Sequence, residues 1–117
     1  MTLWDLVDIL FRSRKLERLC NDDRLAQREW GKPQAGALAR RLDDLRAARC
    51  LEDLRFAPGG LHELKGNRAG QLAMDLKGGD RLVIESANEP PPARPDGGLD
   101  WGQVTAVRVV EVVDYHD

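Results

Sequence analysis

The stretch LHELKGNRAGQ, residues 61–71, holds His62, Lys65 and Arg68 close together. An imidazole, an ammonium and a guanidinium at this spacing suit a phosphodiester. There a proton must move, and negative charge grows on the non-bridging oxygens. Gly66 and Gly70 allow the backbone to turn close to a ligand. Arg81 opens the apolar run RLVIES. A further group stands in VVEVVDYHD, residues 109–117, where an apolar run with one acid gives way to Asp114, Tyr115 and His116. Taken singly, cations in a loop read as solvated surface, and Tyr115 as a core residue with its hydroxyl in water. Together they make a candidate site only if the fold brings them to one face.

The elements that must do this are legible from periodicity. VDILF (7–11) reads as a short buried strand. Ser13 is a natural N-cap for the helical stretch after it, in which Leu16, Leu19 and Cys20 form a stripe. Asn21, Asp22 and Asp23 can break or restart that helix. GKP (31–33) marks a turn. In QAGALARRLDDLRAARCL, Ala35, Leu38, Leu42 and Leu45 keep a 3–4 spacing, the clearest helical signal in the chain. Two such helices pack as an αα-hairpin. From residue 71 the period falls to two. QLAMDLK (71–77), a GGD turn (78–80), RLVIES (81–86) and VTAVRVVEVVDY (104–115) read as three strands. The expected class is α+β, in the order β-α-α-β-β-β, with a twisted, mostly antiparallel sheet. If the last strand neighbours the two before it, its end faces the cations of the 61–71 loop.

The chain has 117 residues, which suits one domain. Within it, residues 87–103 form a Pro/Gly-rich hairpin loop with four of the six prolines, which Trp101 can pin to the body. The formal charge is −2. Residues 1–60 hold 12 Lys/Arg against 10 Asp/Glu, and residues 61–117 hold 6 against 10. This balance argues against a strongly basic nucleic-acid binder, though not against a small basic site. No apolar run has the length of about 18 residues that a membrane span needs. The start, MTLWDLVDILF, lacks a basic leader and a small-residue cleavage site, so the expected location is the cytoplasm. Cys20 and Cys50 match no metal spacing and read as thiols in a reducing compartment. No metal or cofactor is expected.

The motifs also carry a family resemblance. LxxLKGxRxGQ at 61–71, a following strand opened by Arg81, and V-x-D-Y-H at 112–116 resemble the HigB-type toxins of bacterial toxin–antitoxin pairs, members of the RelE/ParE superfamily. FRSRKLERLC, RRLDDLRAA, LEDLR and PGG agree with that pattern upstream, so the resemblance spans about residues 7–117. It implies a RelE-like fold, with an N-terminal strand and an αα-hairpin on a twisted sheet. It implies a toxin that cleaves messenger RNA on the ribosome, with no metal. It implies an active site of His62, Lys65, Arg68, Arg81, Asp114, Tyr115 and His116. The implied partners are a HigA-like helix-turn-helix antitoxin, the ribosome and its message. Promoter DNA would be bound only through the antitoxin complex, and no membrane is involved. The chain departs from the family pattern in its long loop 87–103 and its slightly acidic total.

In that scheme the RNA's own 2′-hydroxyl attacks the next phosphate. His62 and His116 move protons, and Lys65, Arg68 and Arg81 hold the growing charge. Tyr115 stacks on a base or orients a proton, and Asp114 positions a histidine or an arginine. Two other functions remain at this point. One is a non-enzymatic ParE-like toxin that binds gyrase, although such relatives generally lack the H-x-L-K-G loop and the final Asp-Tyr-His. The other is an inactive module that only binds an antitoxin.

Overall fold

The computed structural model describes residues 6–114, the last of these by its backbone alone. Its elements are β1 (Asp8–Phe11), α1 (Arg14–Asn21), α2 (Asp23–Trp30), α3 (Lys32–Ala47), β2 (His62–Glu63), β3 (Gln71–Asp75), β4 (Asp80–Ser86) and β5 (Ala106–Asp114). The α+β class expected from periodicity is the one observed. Two elements go beyond the expected order. The first helical stretch is two helices, because Asp22 closes α1 and caps α2. Its backbone N–H donates to the Arg18 carbonyl, and its carboxylate accepts from the amides of Arg24 (3.0 Å) and Leu25 (3.2 Å). The other addition is β2, a two-residue strand too short for periodicity to reveal.

The sheet order is β1-β5-β4-β3-β2. All neighbours are antiparallel except β1 and β5, which run parallel. VDILF is therefore not a buried strand. Val7 is buried, but β1 lies at the edge, and Leu10 is 44% exposed. One face of the sheet carries Leu72, Met74, Leu82, Ile84, Val107 and Val109 and packs against Leu38, Leu42 and Leu45 of α3. These α3 positions are the ones the 3–4 spacing selects. The hydrophobic effect holds this layer together, and removing one of these side chains costs about 2–5 kcal/mol. No helix among the described residues is long and apolar enough to cross a membrane.

The opposite face is polar, and its alternation has one break. The register shifts between Val83 and Ile84: Val83 faces Glu111, whereas Ile84 faces Val109, so Val110 is an extra residue in β5. Without that bulge, Arg108 and Glu111, three positions apart, would point to opposite faces. With it, both point to the polar face. Arg108 donates to Glu85 (2.8 Å) and Glu111 accepts from Arg68 (2.9 Å).

Gln34 of α3 holds the β3–β4 turn. Its amide donates to the Lys77 carbonyl (3.1 Å) and to the Asp80 carboxylate, and its carbonyl accepts the Lys77 N–H (2.9 Å). Between β4 and β5 the chain makes a small hairpin with an isolated bridge from Ala93 to Leu99. It then enters a 3₁₀ turn, Trp101–Gln103. Trp101 is 7% exposed and belongs to the core cluster.

Candidate active site

The polar face gathers three of the residues singled out from the sequence, His62, Arg68 and Arg81. His62 is on β2, and in the sheet it faces Ala73, which faces Val83, which faces Glu111. This row crosses four strands at about 4.8 Å per step. Arg81 opens the next row, facing Asp75 on β3 and Val113 on β5. Ala73 and Val83 are fully buried between these side chains.

His62 is held at both ring nitrogens. Nδ1 lies 2.9 Å from the Gly60 carbonyl oxygen, and Nε2 lies 3.2 Å from an Arg81 guanidinium nitrogen. A carbonyl only accepts and a guanidinium only donates. The tautomer that satisfies both contacts carries its proton on Nδ1 and leaves a lone pair on Nε2. Arg81 also lies 3.5 Å from Asp75 across the strand pair. This imidazole therefore presents a basic nitrogen, next to a fixed cation.

Arg68 reaches over the sheet from the 3₁₀ turn Gly66–Arg68. It donates to Gln71 (2.8 Å) and to Glu111 on β5 (2.9 Å). Gly66 (φ 66°) and Gly70 (φ 93°) bound this turn in left-handed conformations that a side chain would strain. Lys65 precedes it, exposed, its carbonyl accepting the Arg68 N–H (3.3 Å). β5 ends at Asp114, whose backbone faces Asp80, the neighbour of Arg81. The Asp114 side chain, Tyr115 and His116 lie outside the described residues. What is described is the strand that leads to them, which neighbours β4 but is separated by it from β3, so it adjoins one of the two expected strands.

Sequence reasoning missed three participants. Glu111 and Gln71 anchor Arg68, and Asp75 flanks Arg81. Only Glu111 gave a signal, as the one acid in an apolar run. The pin expected of Trp101 on loop 87–103 is present, and only its partner on β2 was not foreseen. The indole N–H of Trp101 donates to Glu63 (3.1 Å), the residue beside His62, and the Arg55 guanidinium stacks 4.4 Å above the Trp101 ring. Arg55 is held in turn by Glu52. Among the described residues, no group of three or more His, Cys, Asp or Glu side chains is arranged to hold a metal ion.

No protein-family model matches the chain, and no curated protein does either. A solved structure does: the YoeB dimer from Staphylococcus aureus. The similarity covers 95% of this chain and 98% of that one, with a TM-score of 0.51 and 17% identity. The fold is RelE-like. The likeness to YoeB is one of fold, and the chemistry has to be argued from the side chains.

Proposed function

We propose that this chain is the toxin of a type II toxin–antitoxin pair, a HigB-type member of the RelE/ParE superfamily that cleaves messenger RNA during translation. The observation that carries the reading is the His62–Arg81 pair: a basic imidazole nitrogen held 3.2 Å from a guanidinium on an open polar face. The RelE-like fold and the HigB-type motifs support it.

The reaction follows from these groups. An incoming 2′-hydroxyl displaces Arg81 from His62 Nε2 and gives its proton to that nitrogen. The freed oxygen attacks the adjacent phosphorus, and Arg81, now released, turns to the non-bridging oxygens. Arg68 and Lys65 add positive charge on the same side. The bond from phosphorus to the 5′-oxygen breaks, and His116 protonates that oxygen. Tyr115 stacks on a base, and Asp114 orients His116 or an arginine. The products are a 2′,3′-cyclic phosphate and a 5′-hydroxyl. Every proton and every charge in this scheme is handled by side chains, so it needs no metal. His62 is the base in this assignment because its Nδ1 proton is already committed to Gly60.

The proposed partners are a HigA-like helix-turn-helix antitoxin and the translating ribosome, with promoter DNA reached only through the antitoxin complex. The proposed location is the cytoplasm. The test is to add the purified chain to a reconstituted translation reaction and map the ends of the message by primer extension. Cuts that need ribosomes and vanish in His62→Ala are expected. Arrested growth in cells with no cuts would reject the nuclease and favour a ParE-like target such as gyrase.

A further inference from the structure

A cleft of about 290 Å³ opens at the edge of the sheet, between α3 and the ends of β3 and the 58–60 loop. Arg40, Arg41 and Lys77 line it, against one acid, Asp75, with the Gly59–Gly60 backbone as a wall. Two of its walls are parts of the candidate active site. The Gly60 carbonyl accepts from His62 Nδ1, and Asp75 faces Arg81. A bond from the Asp75 N–H to the Gly59 carbonyl (2.7 Å) closes the junction.

The cleft is built rather than incidental. Arg41 lies across Gly59 so closely that a Cβ there would fall 2.8 Å from its guanidinium. Asp44, 3.4 Å away, steadies Arg41. Gln34 grips the Lys77 backbone from both sides and so fixes the spacing between α3 and the far wall. Arg40 and Lys77 stay exposed at the mouth. In a chain with a net charge of −2, a pocket of three cations and one carboxylate is a local anion site.

We infer that this cleft takes a phosphate of the RNA strand next to the scissile one, so that the strand runs from α3 over Asp75 to His62. The inference rests on the nuclease reading above. It adds a binding subsite on α3 and the β3–β4 turn that positions the strand without touching the reacting atoms. Arg40 and Lys77 act as phosphate contacts, which hold register and carry no sequence preference.

The test uses the full chain in the reconstituted translation reaction, with 4-thiouridine placed only in the message beside the cut codon. Arg40→Ala with Lys77→Ala is expected to cut at least tenfold more slowly at sub-saturating protein. Arg40→Lys with Lys77→Arg, which keeps both charges, should restore the wild-type rate. Both changes are at exposed positions, and unchanged thermal unfolding will show that the fold is intact. In a non-cutting His62→Ala chain, message crosslinks should map to peptides carrying residues 40–41 and 77. A neutral double variant that cuts at the wild-type rate would overturn the cleft and leave the nuclease reading standing. If the wild type never cuts, that reading fails, and the same crosslinking with 4-thiouridine throughout the message decides the cleft: crosslinks there keep it as an RNA site, and their absence overturns it.

Discussion

The two faces of the central strands do opposite work with alternating residues of the same segments. On β3, Leu72 and Met74 go into the core with α3, while Gln71 and Asp75 join the polar face, anchoring Arg68 and flanking Arg81. On β4, Leu82 and Ile84 alternate with Arg81 and Glu85 in the same way. The helix face is redundant: many apolar contacts share the load, so no single geometry is critical. The polar face is not. Its guanidiniums are held by specific partners across the strands, so a change of one side chain alters the chemistry and leaves the fold. One strand thus supplies rigidity on one side and a preset array of groups on the other.

The largest expected break in this comparison is on the polar face. His62→Ala should lower the cutting rate by about a hundredfold to ten-thousandfold, the usual range for a lost general base, and Arg81→Ala by about a hundredfold to a thousandfold, the range for a lost charge-stabilising donor. Thermal unfolding should barely move, which separates the two faces. Next comes the helix face, where Met74→Ala or Leu82→Ala should cost about 2–5 kcal/mol in chemical denaturation. Folded protein that remains should still carry an intact His62–Arg81 pair. Trp101→Ala tests the link between them. It empties a core position at a cost of about 3–5 kcal/mol. It also frees Glu63, so β2 loosens and cutting falls more than stability alone requires. Trp101→Phe should regain much of the stability but not the bond to Glu63.

Smaller effects sharpen the picture at the helices. Asp22→Ala should cost about 1 kcal/mol in urea titrations, because α2 loses the cap that receives two amides. Burial pushes the Cys20 thiol up to about 11, with Arg46 pulling partly the other way. The folded state therefore favours the neutral thiol. Its contribution to stability is full below about 9 and is lost as pH rises toward about 11. Comparing the wild type with Cys20→Ala across that range should show the difference closing from the low-pH side to the high-pH side.

Much of this architecture was legible in the sequence, for physical reasons that differ by element. Ala35, Leu38, Leu42 and Leu45 of α3 declared themselves because a buried helical stripe must repeat every three to four residues. The strands 71–75, 80–86 and 106–114 did so by alternation and by the GGD turn. VDILF misled because an apolar run does not say whether a strand lies at the centre or the edge. β2 was invisible because two residues have no period. The bulge at Val110 was hidden for a similar reason: alternation in a valine-rich strand looks the same with or without one extra residue. For the candidate site, the cations came from residue type and motif. Their anchors, Gln71, Asp75 and Glu111, needed the register, since each acts across strands and not along the chain.

The central claim is that this polar face cuts RNA by attack of the strand's own 2′-hydroxyl, with His62 as base. The most direct measurement is the chemistry of the new ends, read by mass spectrometry on a message cut in the translation reaction. A 2′,3′-cyclic phosphate on the upstream fragment, a 5′-hydroxyl on the downstream one, and no cut where the attacking nucleotide is 2′-deoxy are the result the account predicts. A 3′-hydroxyl upstream with a 5′-phosphate downstream, or cutting that persists at the 2′-deoxy position, would contradict it.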